Sequence, residues 1–230
     1  VLHVHFLSRE LPNHIKSHQE AGFSPLPYHL YVGQAIADYL NRHPDRDVNI
    51  ISMVRDPMEF VVSDLFQNPL FHKETLNART GNISPELASA YLNRALGDDK
   101  VFSYVYEWFD KELKSVFDID VFAEEFTFDK GFGVFQSGRI RAIVLQLERL
   151  NDVGPGAVSH FLGSSEPLLF SRENVKANRV DYQKVLSFLD ISPEIVGRVY
   201  ASRFVRHFYG PDMIEKFQKK WLKSNFQDLQ

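Results

Sequence analysis

An arginine and a serine eight residues apart, Arg55 and Ser63, stand on either side of a cluster of helix-starting residues, Asp56-Pro57-Met58-Glu59. A guanidinium is a rigid fork of donors suited to a phosphate, and a serine hydroxyl adds a neutral donor. Ahead of them, Val48 to Val54 is a nearly continuous apolar run of strand length, the pattern of a strand buried on both faces in a parallel sheet. Asp56 then stands at an N-cap, Pro57 at N1 and Glu59 at N3, so a helix starts there. Two helical turns carry Ser63 back to roughly the face of Asp56 and Glu59. In open parallel sheets, anions bind beyond the carboxyl ends of the strands, at helix N-termini. Arg55 and Ser63 are therefore candidate phosphate ligands. The alternative is a structural corner in which Arg55 pairs with Asp56 or Glu59 and Ser63 is an ordinary helix serine.

A second pair of reactive side chains opens the chain. Val1-Leu2-His3-Val4-His5-Phe6 alternates like a strand, with His3 and His5 on one face. Two histidines at i and i+2 near a strand end read as a polar edge, a metal pair or a base aimed into a site. The run has neither an initiator Met nor a polar leader, so an upstream segment is expected.

The elements that must position these residues follow from period and punctuation. Tyr28 to about Asn41 reads as a helix, and the turn His43-Pro44-Asp45-Arg46-Asp47 returns to the Arg55 strand, which with the first strand makes a βαβ crossover. Ser84-Pro85-Glu86 opens a helix that Gly97 closes, and Val101 to Phe117 carries an aromatic stripe at helical spacing. From Ile119 to Leu147 the period changes to alternation around the turn Gln136-Ser137-Gly138-Arg139, a β-excursion feeding a last apolar strand. Asp129-Lys130-Gly131 is a possible second phosphate-approaching loop, and Arg172, Lys176 and Arg179 a possible basic stripe. Helices over about 180–189, from Ser192 to about Phe208, and over 211–222 finish the chain.

Composition bounds the function. The 230 residues, 44% hydrophobic and 24% charged with 20 Phe and 9 Tyr, can bury an aromatic-rich core, and with no linker or repeat they read as one domain, 1–230. A net charge of −4 gives no broad basic field, which disfavours a nucleic-acid partner and confines any anion site to a local patch. Absent cysteines exclude disulfide and thiolate chemistry and match a reducing, cytoplasmic setting. No apolar run is long enough for an integral membrane segment.

Strand, Arg-Asp-Pro, and a helix with serine at its eighth position resembles the 3′-phosphate element of the sulfotransferase superfamily, which uses 3′-phosphoadenosine 5′-phosphosulfate (PAPS). Trp108-Phe109-Asp110 with Glu112, Phe117-Asp118-Ile119-Asp120, Lys130-Gly131-Phe132, Leu145-Gln146-Leu147-Glu148 and His207-Phe208-Tyr209-Gly210 with Trp221 look like the bacterial capsular polysaccharide synthesis proteins, a sulfotransferase-like family. The resemblance implies an α/β fold: the parallel sheet of a P-loop-like sulfotransferase with extensive helical additions. It implies PAPS as nucleotide donor, a glycan acceptor and no metal. Arg55 and Ser63 would hold the donor's 3′-phosphate. In cytosolic sulfotransferases a strand before the Arg-bearing one ends in Lys-Thr-His, whose histidine is the catalytic base; His5 matches it, and His3 stands where the lysine would be. The family's glycine-rich phosphosulfate loop has no counterpart in these residues, so the resemblance implies a missing N-terminal strand-loop-helix unit and leaves open whether this piece is active alone. Two other readings compete: a metal-dependent hydrolase using His3 and His5, and a non-catalytic nucleotide- or polysaccharide-binding module.

Overall fold

The computed structural model describes residues 4–20, 25, 27–77, 81–166, 168 and 180–222. The chain runs through α1 (Leu11–Glu20), α2 (Tyr28–Arg42), β1 (Val48–Val54), α3 (Pro57–Leu65), α4 (Pro69–Thr75) and α5 (Pro85–Leu96). A 3-10 turn (Asp99–Phe102) leads to α6 (Ser103–Trp108), which widens into a π-helical segment (Phe109–Lys114) and closes as α7 (Ser115–Phe117). Strands β2 (Phe132–Ser137) and β3 (Ile140–Gln146) follow, then α8 (Leu150–Leu162), α9 (Val180–Phe188), α10 (Pro193–Tyr200), α11 (Arg203–Phe208) and α12 (Pro211–Trp221). The result is a mixed α/β chain, mostly helical.

Helix starts obey local chemistry. The side chains of Asp56, Asn68, Ser84, Ser192 and Ser202 each accept a backbone N–H of the first turn of α3, α4, α5, α10 and α11, and proline follows the cap in the first four. The span from Ser192 to Phe208, read from sequence as one helix, is two, because Ser202 starts a second by capping Val205 at 3.3 Å. Helix α1 has only Leu11 and Ile15 as large apolar residues, too weak a stripe to announce itself.

The sheet has the order β1-β3-β2. Gly138, with φ +55°, sits in the two-residue turn joining β2 and β3 into an antiparallel hairpin. The expected parallel sheet is thus a mixed one. Central β3 is buried from Ala142 to Gln146, while β1 alternates between half-buried and exposed, with Met53 at 53% exposure. The apolar run over 48–54 does not mark a strand covered on both faces: β1 lies at an edge, and the Asn49, Ile51 and Met53 side faces solvent.

The expected first strand is also corrected. His3 lies outside the described residues, and Val4, His5 and Phe6 are in no strand. Their surroundings supply a different set of partners: the His5 carbonyl accepts the Trp108 indole N–H at 2.8 Å, and the N–H groups of Leu7 and Ser8 go to the Glu112 carboxylate at 2.6 and 2.9 Å. These bonds replace a ladder. With helices rather than a strand before β1, the described residues contain no βαβ unit there.

Two compact units divide the chain. The first comprises 1–52, 107–125 and 133–144; the second comprises 53–106, 126–132 and 145–230. In the first, Gly33 lets helix α2 approach the segment at residue 6, since a Cβ there would lie 2.6 Å from the Phe6 carbonyl oxygen. The core of the second is aromatic: Phe71, Phe102, Phe126, Phe161, Phe208 and Tyr209 are almost wholly enclosed.

Candidate functional site

Within the second unit, the end of β1 turns into α3 at Arg55-Asp56. Asp56 is completely buried and accepts three hydrogen bonds: from the Met58 N–H at 3.0 Å, the Tyr200 hydroxyl at 2.7 Å and the Trp221 indole N–H at 3.0 Å. Its own N–H donates to Glu148 at 2.7 Å, and the other Glu148 oxygen accepts the Tyr209 hydroxyl at 3.2 Å. One carboxylate thus caps the helix while joining α10 and α12 to it. Burial pushes the Asp56 carboxyl above its ordinary range, opposed chiefly by the Trp221 and Tyr200 bonds. Glu148 is pushed up by burial, with the Asp56 charge adding to it. Burial and the neighbouring carboxylates also drive Tyr200 and Tyr209 upward, so both stay neutral donors.

Arg55 is held beside this network. Its Nε and Nη2 donate to Glu59 Oε2 at 3.2 and 3.1 Å, and Lys220 donates to Glu59 Oε1. Burial pulls the Lys220 ammonium down, while the Asp56 charge holds it up. Ser63 lies two turns into α3 and is 7% exposed. The structure therefore places Arg55 and Ser63 on one strand-to-helix element. Sequence reading finds Arg55, Asp56 and Glu59 by spacing, but not Lys220 or Tyr200, which arrive from 161 and 144 residues away in their bonds to this corner. Glu148, Tyr209 and Trp221 carry the family resemblance, yet no spacing rule ties them to Asp56.

His5 belongs to the first unit. It is half-buried, with its ring 4.6 Å from that of His29, and Phe6 stacks on His14 at 3.9 Å. The segment is anchored by the π-helical turn: Trp108 holds the His5 carbonyl, and Glu112, 4% exposed, takes the Leu7 and Ser8 amides and, at 2.7 Å, the Ser8 hydroxyl. Such a turn arises where an extra residue is accommodated in a helix, often at a functional place. Among the described residues, no group of three or more His, Cys, Asp or Glu is arranged to hold a metal.

The other sequence candidates divide. In the Asp129-Lys130-Gly131 loop, the Lys130 and Gly131 amides bond to the Thr127 and Phe128 carbonyls, and Arg149 donates to the carbonyls of Phe128 and Asp129. Those amide and guanidinium donors are spent on the turn itself. Arg172, Lys176 and Arg179 lie outside the described residues. Among the described residues, no helix is long and apolar enough to cross a membrane.

No curated protein and no solved structure matches the chain. A family model does: the family described as "Putative capsular polysaccharide synthesis protein" matches residues 91–210. The match starts within α5 and ends just before α12, so it includes Glu112, Glu148, Tyr200 and Tyr209 but neither Arg55 nor Ser63. Because it spans just over half of the chain, the chain belongs to this family of capsular polysaccharide synthesis proteins.

Proposed function

We propose that this protein is a sulfotransferase of P-loop-like fold that moves a sulfuryl group from PAPS to a hydroxyl of a carbohydrate acceptor. One observation carries the reading: Arg55 leaves the end of β1 into an N-capped helix that bears Ser63 two turns on, in a chain whose family is named for polysaccharide synthesis. Arg55 and Ser63 receive the donor's 3′-phosphate, the guanidinium as a charged fork and the hydroxyl as a neutral donor. The acceptor oxygen attacks sulfur in line, the new O–S bond forms as the bond from sulfur to the 5′-phosphate oxygen breaks, and 3′,5′-diphosphoadenosine departs. His5 takes the acceptor's proton as general base. No metal enters this scheme.

The test is nucleotide discrimination. 3′,5′-Diphosphoadenosine should raise the melting temperature, and 5′-AMP, lacking the 3′-phosphate, should do so much less. At a hundred times its dissociation constant a ligand adds about 2.7 kcal/mol, which moves the melting of a chain this size by several degrees. Arg55→Ala removes charge-assisted bonds of about 1.5–3 kcal/mol and should largely abolish the preference, and Ser63→Ala should erode it by about 0.5–1.5 kcal/mol. Equal stabilisation by both nucleotides, or discrimination that survives Arg55→Ala, refutes the assignment.

A further inference from the structure

Glu59 stands in the first turn of α3 with a different cation on each carboxylate oxygen: Arg55 on Oε2 and Lys220 on Oε1. The two cations come from opposite ends of the second unit's sequence, one from the end of β1 and one from the last turn of α12. The lysine is not there by accident of a loose side chain, because the next residue, Trp221, is 4% exposed and hydrogen-bonded to Asp56. Yet the trio itself meets solvent, with 29% of the Arg55 side chain, 26% of Glu59 and 43% of Lys220 exposed. A helix-surface glutamate is served by one i, i+4 partner; two cations gathered on one carboxylate, open to water, form a site that a soluble anion can enter. A phosphate monoester carries nearly two charges and three strong acceptor oxygens, so it satisfies a guanidinium and an ammonium together better than a carboxylate does.

We infer that Glu59 is a resident substitute for the donor's phosphate: it neutralises Arg55 and Lys220 in the free protein, and an incoming phosphate monoester displaces it. Lys220 is then a second phosphate ligand and Glu59 the competing anion that sets the affinity. This rests on the reading of Arg55 as a phosphate ligand and adds to it a further ligand and an internal competitor.

Calorimetric titration of 3′,5′-diphosphoadenosine into the wild type, E59Q, K220A, K220R and R55A, at one pH and ionic strength, tests it. E59Q should bind roughly three- to tenfold more tightly even though its loss of two ion pairs lowers its melting temperature, a combination a merely structural glutamate does not produce. K220A should bind about tenfold more weakly, and K220R, which keeps the charge, should recover most of that loss. If R55A weakens binding but E59Q does not tighten it, or K220A leaves it unchanged, the inference fails while the phosphate reading stands. If neither the wild type nor E59Q binds the nucleotide, both fall together.

Discussion

Asp56 receives a backbone amide, a phenol and an indole on two oxygens, and those donors come from residues 58, 200 and 221. A buried carboxylate of this kind is destabilising unless its lone pairs are filled, so each donor is worth more than a surface hydrogen bond. Tyr200→Phe and Trp221→Phe should each lower stability by about 1–3 kcal/mol, read by denaturant unfolding. The losses should not add. Both bonds hold the carboxyl's proton affinity down against burial, so removal of either raises that affinity further, and the second removal takes a donor from a carboxyl already less able to hold its charge. A double variant that loses less than the sum by at least about 0.5 kcal/mol shows the shared acceptor, and strict additivity excludes it. At this scale the sequence reveals the cap but not its partners. Asp56-Pro57 is legible because capping is decided within three residues, whereas Tyr200 and Trp221 reach Asp56 only through tertiary packing, which leaves no periodic trace.

Elements were legible where one local rule decided them. Ser84 and Ser192, each followed by proline and glutamate, start α5 and α10 as their spacing requires. The turn at Gly138 likewise joins β2 to β3. Elements fail where a neighbour decides: alternation over residues 1–6 suggests a strand, but described residues 4–6 are in no strand, and the His5 carbonyl accepts the Trp108 indole N–H instead. The π-helical segment Phe109–Lys114 is the clearest such case, since the aromatic stripe through it reads as an unbroken helix. Its Glu112 satisfies three donors of residues 7 and 8 with two oxygens. Glu112→Ala removes both acceptor oxygens and takes this partner from the Leu7 and Ser8 amides and the Ser8 hydroxyl, at a cost of about 1–3 kcal/mol. Because the damage is confined to that anchor, the Leu7 and Ser8 amides should exchange with deuterium about tenfold faster under native conditions while the β3 amides are unchanged. Acceleration equal at both places would mean that Glu112 supports the whole unit instead of one segment.

At the scale of the whole chain, composition excludes a broad basic surface and disulfide chemistry, but it does not reveal the two compact units. Each is assembled from segments that alternate along the sequence, the chain crossing between them near residues 52, 106, 125, 132 and 144. No change of composition or Pro-Gly linker marks such crossings, because several of them run through the interior of a continuous element such as β1 or β3. What does emerge at this scale is the pH dependence of stability. Two buried carboxyls depart upward: burial raises Asp56 and Glu148 above the values they have in an unfolded chain. A carboxyl raised on folding binds its proton more tightly in the native state, so its contribution is fully present below the unfolded value and is lost as pH climbs through the raised one. Glu148→Gln isolates this effect with little disturbance, since the amide oxygen can still accept the Asp56 N–H and the amide nitrogen can donate to the Tyr209 hydroxyl. Both proteins should unfold with similar stability at pH values where Glu148 is already protonated in the unfolded chain. From there upward the variant should gain on the wild type, the difference growing until pH passes the raised native value and then levelling off. The comparison needs only paired denaturation curves across the acid-to-neutral range. A wild type that gains on Glu148→Gln as pH rises would show that the Asp56 amide and the Tyr209 hydroxyl outweigh burial, reversing the direction assigned to this carboxylate.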